Sequence, residues 1–269
     1  MRRRSALAAG MGLATMVSWV GVASASVDEL PVRVRLAQEF LPAGDVDAHT
    51  DEQYLTWAQS RRRHRDRFDA YLSVGDRPKI RLNTRGQGWA GGIDVAGGVV
   101  AYQQARRGDS DIRIYRLRDG RRTTAGRRVS SDRHWEYDPA VSGRWLVFAR
   151  LNWRARPDVR KVLLYDRFAG TRPTVLAGFV GGHRKGTLVN ADVDGDWVTW
   201  TRCRHRFEIC EVFRYQISTG DKVVLPHPAE HLHYASSIEQ DGTVYYMESG
   251  LRCGVQVTIR RHAIDGTDQ

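Results

Sequence analysis

Apolar and polar residues alternate along much of this chain with a period of two, broken at short intervals by Gly, Asp, Asn and Ser. That pattern predicts half-buried strands joined by tight turns and argues against helical repeats. Five apolar segments recur: YLTWAQ from Tyr54, VVAYQQ from Val99, WLVFAR from Trp145, WVTWTR from Trp197 and TVYYME from Thr243, starting 45, 46, 52 and 46 residues apart. Each has an aromatic at its fourth position: Trp57, Tyr102, Phe148, Trp200 and Tyr246. Two places earlier stand Leu55, Val100, Leu146, Val198 and Val244, so both residues fall on one strand face.

A second strand follows each segment: DAYLSVG, IRIYRLRDG, VLLYDRFAG, VFRYQISTG and IRRHAIDG. In these, Tyr71, Tyr115, Tyr165 and Tyr215 precede Gly75, Gly120, Gly170 and Gly220, with His262 in the aromatic place before Gly266. Glycine there suits a turn with positive φ. A third strand such as PKIRLN, PTVLAG or KVVLPH comes next, and a short apolar strand with a turn (DPAV then Ser142-Gly143-Arg144) precedes each aromatic segment. Four antiparallel strands in roughly 45 residues are the period of a β-propeller blade. The expected fold is all-β, with five blades near residues 45–84, 90–128, 136–178, 188–226 and 234–266. The fifth unit ends before its outermost strand, and PVRVRLAQ (31–38) has the look of a third strand without a unit. Pairing of that segment with the last blade is the expected closure. A six-bladed alternative would need residues 28–50 as a blade, and they are too few.

YDPAVSGRWLVFAR with VLLYDRFAG, and DVDGDWVTWTR with FRYQISTG, resemble the TolB-like, WD-like propeller repeat of exported bacterial proteins. The resemblance covers most of residues 31–266. It implies a propeller that serves as an interaction platform, a ligand binder or an enzyme scaffold. The family's fuller Ser-Pro-Asp-Gly turn is missing, as is the separate N-terminal α/β domain of TolB itself, so a role in the Tol envelope system does not follow.

The N-terminus, MRRRSALAAGMGLATMVSWVGVASAS, sets three arginines before an apolar run ending in Ala23-Ser24-Ala25. This is the pattern of an export signal over residues 1–25, cleaved near Ala25. Arg3-Arg4 leaves both the general and the twin-arginine route open, and no cysteine at the cleavage site marks a lipoprotein. Cleavage leaves 244 of 269 residues, enough for a sizeable core, and a mature protein that is secreted or held in the cell envelope without stable membrane insertion. Loss of Arg2, Arg3 and Arg4 brings the net charge from +11 to about +8. An anionic partner is favoured over a cationic one, with nucleic acid not expected for an exported chain, and a monomer is expected.

Basic residues fill the loop between second and third strands of every unit: Arg61, Arg62, Arg63, Arg65 and Arg67; Arg106 and Arg107; Arg154 and Arg156; Arg204 and Arg206; and Arg252. Arg133, His134, His183, Arg184 and Lys185 lie on loops entering inner strands. Converging, these groups would make a positive face; scattered, they are solvated loops of an arginine-rich chain. Trp89, Trp135 and Trp153 interleave with them, suited to sugar stacking or to packing. On the inner strands Asp47, Asp138 and Asn190 align with Gly92 and Ser236, and two places on Asp94 and Asp192 align with His49. Such a ring at the channel mouth can hold Ca²⁺, or its members can bond local backbone. No other cofactor and no dedicated metal site are expected, although His227, His231 and His233 with Glu230 form a conceivable zinc half-site.

Cys203 and Cys210 flank a hairpin loop containing His205, and an exported protein favours their disulfide over zinc ligation. Cys253, on the matching loop of the next unit, is the competing partner. The chain has no G-x-S-x-G, H-E-x-x-H, P-loop or dinucleotide fingerprint. The leading expectation is a binding module whose basic face meets a wall glycopolymer, an acidic glycan or an acidic protein. The alternative is a secreted carbohydrate-active enzyme using Asp47, Asp94, Asp138 or Asp192.

Overall fold

Strands follow one another in the order the alternation requires. The computed structural model describes residues 47–267 except 52–53, 62–63, 84–87, 107, 132, 153, 156, 182–185, 205–208, 227–230 and 251–257, with backbone alone for 47–51, 60–61, 64–67, 234 and 250. The signal segment 1–25 and the closing segment 31–38 lie outside the described residues.

The first sheet holds β1 (Asp47–Asp51), β2 (Tyr54–Arg61), β3 (His64–Val74) and β4 (Ile80–Arg81) in chain order. The next meander is β5 (Trp89–Ala96), β6 (Val99–Arg106), β7 (Asp109–Arg116) and β8 (Arg122–Thr124). It shares an eight-stranded sheet with β9 (Trp135–Ser142), β10 (Trp145–Asn152), β11 (Val159–Asp166) and β12 (Thr174–Val180), joined by a single parallel bridge between Ser110 and Trp135. A four-stranded sheet of β13 (Gly186–Asp194), β14 (Trp197–Arg204), β15 (Ile209–Gln216) and β16 (Lys222–Val224) follows. Last comes a three-stranded sheet of β17 (His231–Ile238), β18 (Val244–Gly250) and β19 (Thr258–His262). All neighbours within a meander are antiparallel, and the described residues contain no helix.

The core is divided among the junctions between consecutive meanders. Leu72, Leu82 and Ala58 pack on Ile93, Val100 and Tyr102; Ile112 and Val129 pack on Val141, Leu146 and Phe148. Val162 and Leu164 meet Leu188 and Trp200, and Val212 meets Ile238 and Tyr246. Each middle sheet is therefore covered on both faces, which is why β6 is buried along its length up to Arg106, Gln103 and Gln104 included. The five aromatics of the second strands, Trp57, Tyr102, Phe148, Trp200 and Tyr246, are all buried in these layers. First strands touch in sequence, β1 with β5, β5 with β9, β9 with β13 and β13 with β17, so they form the inner edge of the stack.

In the second, third and fourth meanders the third-strand tyrosine and the glycine after it act together. The phenol oxygens of Tyr115, Tyr165 and Tyr215 lie 3.3, 4.0 and 3.9 Å from where a β-carbon on Gly120, Gly170 and Gly220 would stand. The amides of those glycines close the turn onto Arg116, Asp166 and Gln216. One outer strand departs from its equivalents: β12 runs for seven residues, whereas β8 and β16 have three and β4 two.

Candidate functional site

The aligned inner-strand positions share a backbone conformation before they share any chemistry. Gly92, Asp138, Asn190 and Ala235 have φ of 42°, 46°, 53° and 52°, and at each the pairing with the second strand slips. These are β-bulges, and Gly, Asp and Asn are the residues that tolerate positive φ. The fifth unit uses Ala235 in place of the aligned Ser236. Its hairpin holds five residues between Ile238 and Val244, where the other middle units have two, so alignment on the turn misplaces the bulge by one.

Asp94 and Asp192, two places beyond the bulge, reach sideways into the next meander. Asp94 accepts from its neighbour Val95 N at 2.8 Å and, through its other oxygen, from Val141 N at 2.6 Å. Asp192 accepts from Val193 N at 2.8 Å, Ile238 N at 3.0 Å and Ser237 Oγ at 2.8 Å. Asp138 accepts from Asn190 N, and the Asn190 carbonyl accepts from Ser236 Oγ. Each carboxylate thus ties one inner strand to the next, with both oxygens of Asp94 and Asp192 used. The side chains of Asp47 and His49 lie outside the described residues; their backbones pair with Ala58 and Thr56.

Hairpins between second and third strands, and entries to first strands, sit at the same edge of each meander. Trp135 shows this directly, since its indole donates to the Gly108 carbonyl at 2.8 Å across the second junction. Of the twelve arginines on these hairpins, Arg62, Arg63, Arg107, Arg156, Arg206 and Arg252 lie outside the described residues, as do the side chains of Arg61, Arg65 and Arg67. Arg106 ends β6, is exposed and pairs in register with Asp109. Arg154 is exposed beyond β10. Arg204 ends β14 and contacts Glu211 at 3.1 Å, a carboxylate that also takes Arg202 at 2.7 Å.

The third meander carries a feature with no counterpart in the motif reading. Glu136, Arg150 and Lys161 stand opposite one another on β9, β10 and β11 and so share one face. Glu136 is fully buried, and burial pushes its carboxyl up to about 8 against the opposing pull of Arg150, whose Nε donates to it at 2.9 Å. Arg150 also donates to the Arg128 and Val129 carbonyls at 3.0 and 2.8 Å. His134 is held below the usual imidazole range by burial and then by Arg150, Lys161, Arg133 and Arg154. Beside this row a groove of about 680 Å³ opens, floored by Val159, Leu163, Pro173 and Val175 and rimmed by Arg128, Lys161 and Arg172.

No family model matches the chain, and no curated protein matches it. Solved structures do. A protein assigned as TolB from Agrobacterium tumefaciens superposes with a TM-score of 0.58 at 12% identity, over 84% of this chain and 79% of that one. TolB from Acinetobacter baumannii gives 0.55 at 12%, over 75% of this chain and 48% of that one. The fold is a TolB-like propeller. The chain spans about half the length of the Acinetobacter protein. Oligogalacturonate lyase from Vibrio parahaemolyticus gives 0.55 at 10%, over 84% of this chain and 66% of that one. Identities this low carry the fold and leave activity open.

Within this TolB-like propeller the cysteine cluster resolves into a staple. Cys203 and Cys210 face each other directly in the β14–β15 register, their Cα atoms 4.0 Å apart, and form a buried disulfide. Oxidised sulfurs cannot serve as thiolate ligands, so zinc ligation by this pair with His205 is set aside; His205 and Cys253 lie outside the described residues. The histidine group is likewise engaged. His231 and His233, alternate residues of β17, reach Glu248 at 3.3 and 3.0 Å, and Arg260 donates to the same carboxylate at 2.9 and 3.1 Å. A guanidinium stands where a cation would have to bind; His227 and Glu230 lie outside the described residues.

Proposed function

We propose that the mature chain is an exported five-bladed propeller, residues 26–269, closed by strand 31–38 against the fifth blade, that binds an anionic partner through its hairpin edge. The partner class is an acidic polymer: a wall glycopolymer, an acidic glycan or an acidic protein surface. The observation that carries binding over catalysis is the fate of the inner-strand acids. Asp94 and Asp192 each spend one oxygen on the amide of their own neighbour and the other on a main-chain amide of the next blade, which gives them a latching role and removes the free paired carboxylates that glycoside chemistry needs. The exposed chemistry that remains on that edge is cationic, with Arg106 and Arg154 among its described members. The Cys203–Cys210 disulfide and the export-type N-terminus favour an extracytoplasmic location. Among the described residues no helix is long and apolar enough to cross a membrane.

The test is binding of polygalacturonate and dextran sulfate, with neutral dextran as control, by calorimetry at 50 and 500 mM salt. Both polyanions should bind, with affinity falling at least about tenfold over that salt range and again when Arg61, Arg65, Arg106 and Arg107 are changed to Glu. Binding that ignores salt, or that survives the four substitutions, overturns the reading.

A further inference from the structure

The groove on the third blade starts at the hairpin edge, where His134, Asn152 and Val159 line it, and runs along the blade to Arg172 and Pro173, and its chemistry is of a different kind. Homologous rows cross every described middle blade two places before the bulge. In the second blade the row is Ala90, Gln104, Asp111, and in the fourth it is Leu188, Arg202, Glu211. Both finish on an acid at the third strand, beside Arg113 and Arg202 respectively. In the third blade the order is reversed: the acid Glu136 is sealed at the inner strand and the third-strand place is taken by Lys161. A cation therefore stands where the second and fourth blades place a carboxylate.

Lys161 and Arg172 make no ion pair among the described residues, and no acidic side chain lines the groove. Arg128 turns one guanidinium nitrogen to the Gly170 carbonyl, which keeps its charge at the rim. The floor is aliphatic, with Leu163 and Val175 directly opposed in the β11–β12 register and Pro173 beside them. The long outer strand β12 extends this floor and leaves Val175 50% exposed. An apolar floor of this size, with Lys161 toward one end and Arg172 toward the other, suits neither a free inorganic anion nor a neutral apolar body.

We propose that this groove binds an amphiphilic anion, a carboxylate or phosphate monoester carried on a hydrocarbon body, with the head on Lys161 and the body along Leu163, Pro173 and Val175 toward Arg172. The head supplies the negative charge that the second and fourth blades build into their own third strands. The head accepts from the Lys161 ammonium, and water leaves the aliphatic floor as the chain settles. Arg61, Arg65, Arg106 and Arg107 are not among the described residues that line this groove, so binding here does not draw on them.

The test is calorimetric titration of the mature protein with dodecyl phosphate and with dodecanoate, each below its micelle concentration, against inorganic phosphate and dodecyl maltoside. Dodecyl phosphate or dodecanoate should bind at least about tenfold more tightly than either control, and whichever binds more tightly identifies the head group. Lys161→Met should weaken that binding about tenfold and Val175→Glu more strongly, with thermal unfolding of both variants within a few degrees of the parent. The fourfold Arg-to-Glu variant of the hairpin edge should bind these probes as the parent does. Equal binding of dodecyl maltoside, equal binding of inorganic phosphate, an unaffected Lys161→Met, or no binding of either amphiphile overturns the proposal.

Discussion

Glu136 in the third blade and Glu248 in the fifth occupy the same cross-strand row, and both are buried, yet they are driven in opposite directions. Burial pushes both carboxyls up. At Glu136 it prevails, with the Asp111 charge adding to it, over the pull of Arg150 and the Ser131 amide, while Oε2 has no partner among the described residues. At Glu248 the bonds from Arg260 and His233, with the Arg260 charge and His231 behind them, outweigh it and hold the carboxyl below its ordinary range. What separates the two is both depth and donors: Glu136 is the more deeply buried, and Glu248 has more groups donating to it. A carboxylate on the inner strand is walled in by its own sheet and the next, whereas one on the second strand can be reached from both sides.

Removal of Glu248 gives the largest expected effect. Glu248→Ala leaves the fully buried His233 and the Arg260 guanidinium without their shared acceptor, and should lower the unfolding free energy in urea by about 2 to 4 kcal/mol. Glu136→Gln should not lower it at pH 7 and should raise it, because Arg150 keeps two main-chain acceptors and glutamine is spared the ionisation that the buried carboxyl resists. Equal losses for the two variants would break the comparison.

The fourth blade offers an intermediate case, since its row ends in the Arg202–Glu211 pair just below the disulfide. Reduction, or Cys203→Ala with Cys210→Ala, opens a loop with a sequence separation of 7 and should cost about 2 to 3 kcal/mol. Free thiols counted in the unreduced, denatured mature protein, apart from Cys253, would show that the pair is not oxidised in solution.

Acid titration separates the two carboxyls by sign. A carboxyl raised from 4.5 to about 8 contributes stability below its unfolded value that disappears as pH rises through about 8, as the unfolded chain ionises first. Glu136→Gln should therefore flatten the decline in stability between pH 4.5 and 8. Glu248, with a depressed value, contributes stability above the ordinary carboxylate range that is lost as pH falls through its folded value. Glu248→Gln should flatten the curve only on that acid side. Urea midpoints for the parent and both variants across pH 3 to 9 decide the matter, and a shared window for both would contradict the assignment.

Strand order and layer contacts were legible because the signals are local. Period-two alternation, an aromatic at every fourth position and a tyrosine before a turn glycine each report on residues a few places apart, and all five aromatics are in the core. The disulfide was legible for the same reason, as a hairpin sets its own register. The bulge acids were visible as an aligned set, but their task depends on amides from the next blade, 46 or 47 residues on. Glu136 and Lys161 carried no motif. Their properties arise from Arg150, 14 residues from one and 11 from the other, and from burial between two sheets, which no window of one strand contains.

The smallest expected effect concerns the balanced row. Glu211 accepts from Arg202 and Arg204, whose side chains are 29% and 43% exposed, so water shares the charge on the far side of the pair. Glu211→Gln should cost about 0.5 to 1 kcal/mol at low salt and less at 500 mM, where exposed charges are screened within a few ångströms. The same substitution frees Arg204 at the hairpin edge, which should raise the affinity for polygalacturonate up to about threefold. A stability loss as large as that of Glu248→Ala would mean that Glu211 is held from more sides than these two arginines. The contrast between the second-strand acid of the fifth blade and the third-strand acid of the fourth would then disappear.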